Sequence, residues 1–171
     1  MRLVLLFLFF ASQVNGQSRF YNLECITVEG SVISLKQYEG RRVLILTTDA
    51  LRPDRDLISL IDTLIQQKRN LSVLVATVSD LGGKNTVRDA ENLKLDLKGD
   101  LKVLAPLNVS KQSGSKQSPL FQWLTKESEN GHFGYDVWKP GQLFLISESG
   151  ELLAVLSEGA PFSVISEVVS K

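Results

Sequence analysis

Residues 43–53 read Val-Leu-Ile-Leu-Thr-Thr-Asp-Ala-Leu-Arg-Pro. Val43 to Thr48 is continuously apolar or β-branched, which suits a strand covered on both faces. Pro53 fits a first helical turn, and Asp54 and Asp56 favour its positive end. Leu57, Leu60, Ile61, Leu64 and Ile65 then recur at helical spacing and predict an inward face. A buried strand feeding an amphipathic helix is the repeating unit of a parallel sheet.

Working outward, Phe20 to Ile26 alternates, with Tyr21, Leu23 and Cys25 on one side and Asn22, Glu24 and Ile26 on the other. That period predicts a half-buried strand, returned through Glu29-Gly30 by Val32 to Leu35. Beyond the first helix, Leu71 to Val78 is a second apolar run. Thr86 and Asp89 form a capping-box pattern that opens a helix through Leu97. Leu101 to Leu107 predicts a short strand, and Ser110 to Ser118 a surface loop. Ser118-Pro119 caps a helix holding Leu120, Phe121, Trp123 and Leu124, with Trp123 read as core. Glu129 to Pro140 predicts a loop. Gln142–Ser147 and Glu151–Ser157 form a hairpin around Ser149-Gly150. Pro161 opens a last helix with Phe162, Ile165, Val168 and Val169 inward. Parallel strands joined by helices, closed by an antiparallel hairpin and a helix, predict a three-layer α/β/α sandwich.

The composition narrows function. The 171 residues carry 19 basic and 19 acidic side chains, one cysteine and one histidine. Zero net charge gives no long-range field for nucleic acid or an anionic membrane. A lone Cys25 and a lone His132 exclude an internal disulfide, a CxxC redox pair and a thiolate–histidine metal cluster. No GxSxG, phosphate loop or ligand cluster is present.

Residues 1–16 read as a signal peptide: Arg2 is the positive start, Leu3 to Ala11 the apolar stretch, and Val14-Asn15-Gly16 the cleavage region. The apolar stretch is shorter than the ~20 residues of a membrane span, and no later segment reaches that length. The expectation is a secreted, extracellular protein, its domain spanning 17–171. Asn70-Leu71-Ser72 and Asn108-Val109-Ser110 are then N-glycosylation candidates. Cys25 would meet an oxidising compartment, buried or paired with a second copy as a homodimer.

Several segments, in order, resemble the glutathione peroxidase family. Phe20-Tyr21-Asn22-Leu23-Glu24 is similar to its opening strand, and Gly30-Ser31-Val32-Ile33-Ser34-Leu35-Lys36-Gln37-Tyr38-Glu39-Gly40 to its G-x-x-x-S-L-x-x-Y-x-G segment. Asp80-Leu81-Gly82-Gly83 falls where that family has N-Q-F-G-G/K. Ser118 to Leu124 resembles its P-L-Y/F-x-x-L helix, and Trp138 to Glu151 its W-N-F-x-K-F-L-I-D-x-x-G stretch. The resemblance implies a thioredoxin-like α/β/α sandwich of the glutathione peroxidase type. It also implies hydroperoxide reduction and a role in oxidative stress, with glutathione or another thiol as co-substrate and no bound cofactor.

The chemistry departs from that pattern. The family's selenocysteine or cysteine, an anionic nucleophile at the first helix's N-terminus, aligns with Arg52. A guanidinium stays protonated and has no redox chemistry. The family's glutamine aligns with Asp80 and its asparagine with Lys139, followed by one inserted residue; Trp138 matches its tryptophan. These positions point to a pseudo-peroxidase that binds or regulates, its partner a protein or a small molecule. Arg52 and Asp80 are expected either to pair across the former site or to bind a small anion there. Trp138 is a candidate pocket wall. His132, in a glycine-flanked loop, reads as a surface residue. The alternative is an active thiol peroxidase that uses Cys25, against the plainer reading of Cys25 as a small core residue.

Overall fold

The computed structural model describes residues 19–68, 70–82, 84–97 and 101–170. The expected signal peptide lies outside them. A five-stranded sheet runs in the order β5-β4-β3-β6-β7. Its members are β3 (Arg42–Thr48), β4 (Leu71–Val78), β5 (Leu101–Leu107), β6 (Leu143–Ile146) and β7 (Leu152–Leu156). β3, β4 and β5 pair in parallel, while β6 and β7 add antiparallel. A separate hairpin of β1 (Glu24–Ile26) and β2 (Val32–Ser34) leans on β5 through a bridge between Thr27 and Leu104.

Alternation along the strands divides the core. Val43, Ile45, Leu74, Ala76 and Phe144 face one side, where Phe20, Cys25, Leu35, Phe121 and Trp123 cover them. Leu44, Leu46, Val73, Val75 and Leu145 face the other, under three helices. Those are α1 (Arg55–Gln67), α2 (Val87–Asp96) and α5 (Phe162–Ser170). All eight residues of β4 are buried, which is why its sequence reads as a run rather than an alternation. The short helices α3 (Pro119–Thr125) and α4 (Glu127–Asn130) lie at the Phe20 side, where Trp123 packs on Phe20 at 5.2 Å between ring centres.

The fold matches the expected sandwich, and the differences are local. Residues 19–22 form a 3₁₀ turn, so strand pairing begins only at Glu24, and Phe20 is buried beside Tyr21. Helix α1 starts two residues later than Pro53 suggests: Asp54 caps it, its Oδ1 accepting from Leu57 N at 3.0 Å. Within α1, Ile58, Ile61 and Leu64 are buried, while Leu57, Leu60 and Ile65 flank them half-exposed. The expected loop at 110–118 is wound into 3₁₀ turns over Lys111–Lys116, with Ser110 and Gln117 buried at its ends. Phe162 is exposed, because the face of α5 that covers the sheet is carried by Ile165 and Val169.

Candidate functional site

β3 ends at Thr48, and the chain reaches α1 through a six-residue turn, 49–54. Asp49 is buried, and its carboxylate closes the turn by accepting from Leu51 N at 3.0 Å. Arg52 Nε reaches the other oxygen at 3.3 Å, yet its side chain is 80% exposed. The Leu57 N–H in the first turn of α1 is met by the Asp54 carboxylate, so this helix end is already supplied with an internal anion.

The expected ion pair between Arg52 and Asp80 does not form. Asp80 follows β4 and turns inward, accepting from Val109 N at 3.0 Å, Ser110 N at 2.9 Å and Ser113 Oγ at 2.7 Å. A second carboxylate grips the same segment from the other side. Asp136, buried, accepts from Lys111 N at 2.8 Å, Val137 N at 2.8 Å and Ser110 Oγ at 3.3 Å. Ser110-Lys111 is therefore clamped between two carboxylates whose lone pairs satisfy backbone donors. Nothing in the local sequence singles out Asp136, whose donors in the clamp lie 25 and 26 residues back.

Beside Asp136 the chain emerges. Trp138 is 67% exposed and walls no described cavity. Lys139 points to Glu158 at 3.6 Å. His132 is exposed, and its backbone N–H is held by Asn130 Oδ1 at 2.8 Å. Asn130 also donates to Trp123 O and Phe133 O at 2.8 Å each, a node that the Asn130-Gly131 turn signal could have revealed.

Cys25 is 6% exposed and sits in the core on the face of the sheet opposite α1. Burial without a compensating cation pushes its thiol up to about 12. So Cys25 stays protonated near neutrality, and its burial opposes the expected disulfide-linked homodimer. The sequons differ in the same way. Asn70 is exposed in the turn before β4. Asn108 is half-buried, with Oδ1 accepting from Ser79 Oγ at 2.8 Å and Nδ2 donating to Lys116 O at 3.2 Å.

Around Arg52 a small cleft of about 90 Å³ is lined by Thr48, Asp49, Leu57, Pro140 and Glu158. Thus the structure gathers Arg52 and the segment after Lys139 at one mouth, and sends Asp80 elsewhere. There Gly141 N donates to Thr47 O at 2.6 Å, which joins the β6 entry to the end of β3. Among the described residues, no group of three or more potential ligands could hold a metal.

Solved structures share this architecture. T. cruzi GPX1 superposes with a TM-score of 0.68 at 20% identity, covering 88% of this chain and 94% of its own. Trgpx in its apo form gives 0.67 at 20% identity, over 88% and 92% of the two chains. The M. tuberculosis DsbF gives 0.59 at 9% identity, over 88% and 94%. The chain has a thioredoxin-like fold of the glutathione peroxidase type. No family model and no curated protein matches its sequence. Within this glutathione-peroxidase-type fold, the turn after the central strand holds Asp49, Arg52 and Asp54, and no sulfur.

Proposed function

We propose that this is an exported protein that keeps a peroxidase scaffold without peroxidase chemistry and works by binding. One observation carries the reading. The turn between β3 and α1 presents a permanently charged guanidinium, while the only thiol is buried across the sheet and held protonated. A peroxidatic step needs a thiolate able to reach the O–O bond. Neither condition is met by Arg52 or by Cys25. Asp80, the second family-equivalent position, has its oxygens engaged by the 109–113 segment and faces no nucleophile.

The test is hydroperoxide turnover by the purified protein with glutathione or thioredoxin, beside Cys25→Ser. The expected result is no turnover in either. Turnover in the wild type that vanishes in Cys25→Ser would establish a thiol peroxidase and overturn the proposal. Export rests on the apolar leader and is tested by secretion from cultured cells. In that material the exposed Asn70 accepts a glycan, whereas the engaged Asn108 amide stays unmodified. Asn70→Gln should therefore abolish the glycosidase-sensitive mass shift, and Asn108→Gln should leave it.

A further inference from the structure

We propose that the groove between α1 and α5 binds a small organic cation with an apolar body. This deepens the binding reading above. The groove, open on one side, offers about 320 Å³, within the range of small-molecule sites. Leu57, Leu60, Leu143 and Ile165 supply its apolar floor, so a hydrocarbon skeleton entering it leaves water. Phe162 also lines it and is 53% exposed, so an aromatic ring is within reach of a bound cation.

Charge decides which ligand suits it. Asp54 and Asp56 line the groove, and no basic residue does. Asp54 commits one oxygen to Leu57 N, and among the described residues Asp56 has no partner. The nearby cations are turned away. Arg55 reaches across to Asp96 of α2 at 3.0 Å. Arg52 contacts Asp49 and lines only the adjoining cleft. Lys139 faces Glu158. The two carboxylates also offset the positive end of α1, which would otherwise favour an anion. An apolar floor, an aromatic rim and two acidic groups together fit an alkyl- or arylammonium. The volume of the groove suits one small molecule.

The experiment titrates the purified protein by calorimetry with 3-phenylpropyl-trimethylammonium, and with 4-phenylbutyrate as an anion of similar carbon skeleton. Saturable binding of the cation is expected, with the anion roughly tenfold weaker or more. Asp56→Asn and Phe162→Ala alter exposed side chains, and each should weaken the cation about threefold to tenfold. Unchanged melting temperatures in both variants confirm that the fold is kept. Equal affinity for the two probes, no saturable binding, or binding indifferent to Asp56→Asn would overturn the proposal. Peroxide turnover is read separately. Turnover with cation binding overturns only the pseudo-peroxidase reading, and neither turnover nor binding overturns only this one.

Discussion

Arg52 and Asp80 follow neighbouring parallel strands, four residues after the end of β3 and two after the end of β4. Their surroundings could hardly differ more. Arg52 extends into solvent with one stretched contact to a residue three positions away. Asp80 folds back onto three donors some 30 residues downstream. The two turns sit at the same end of the sheet, where this architecture concentrates functional loops. In one, charge is left facing water; in the other, charge is consumed in holding the fold. Neighbouring turns at one end of a sheet can thus spend their charge differently, one outward and one into structure.

That contrast is most directly broken at Asp80. Removing the carboxylate in Asp80→Ala strands Val109 N and Ser110 N and frees the Ser113 hydroxyl. Hydrogen bonds to charged acceptors each contribute about 1.5–3 kcal/mol, and partial exposure lowers the sum, so a loss of roughly 2–4 kcal/mol is expected. In a chain of this size that lowers Tm by about 5–15 °C, read by thermal unfolding. Asp136 touches the same Ser110 from the opposite side. Asp136→Ala should therefore combine non-additively with Asp80→Ala, with a coupling of about 0.5–3 kcal/mol in a double-mutant cycle. Strict additivity would show that the two carboxylates hold separate elements.

Arg52→Ala is the counterpart and should do almost nothing to stability. An exposed pair at 3.3 Å is screened by water, so the change stays within about 0.5 kcal/mol. The same denaturation curves that register the Asp80 variant should superpose for this one. A destabilisation comparable to that of Asp80→Ala would mean that the Arg52 turn is also structural, and the contrast between the regions would collapse.

The legible and illegible parts of the molecule divide along this line. β3 and β4 could be read because burial on both faces leaves an unbroken apolar run. Asp54 could be read as a helix-end residue because a cap acts on its own first turn. The Asp80 and Asp136 clamp could not, because its donors are mostly backbone N–H groups, joined by two serine hydroxyls, brought close by folding. Nothing about a backbone donor is written in side-chain type. The pairing expected between Arg52 and Asp80 followed from opposite charge at adjacent strand ends. It failed because backbone donors satisfy Asp80 more completely than one mobile guanidinium would. The exposure of Trp138 follows from the same clamp: Asp136 and Val137 are buried, and the next residues are carried out to solvent.

Asp89 is a carboxylate whose partners are all local. Its Oδ2 accepts from Thr86 N at 2.8 Å and Thr86 Oγ at 2.7 Å, closing the capping box of α2. Those hydrogen bonds, the hydroxyl first, stabilise the charged form and hold the carboxyl below its ordinary value of 3.8. A folded value below the unfolded one means that the unfolded chain binds the proton more readily. The stabilisation is therefore fully present above 3.8 and is lost as pH falls through the lower, folded value. The melting temperature of the wild type should exceed that of Asp89→Asn at neutral pH, and the gap should close on acidification into that range. A gap independent of pH would assign the cap to hydrogen-bond geometry alone, with no contribution from charge. A gap as wide as that for Asp80→Ala would mean that local and long-range carboxylates carry equal weight here. The exposed, local contacts of Asp89 argue against that, because water replaces them at little cost once they are broken.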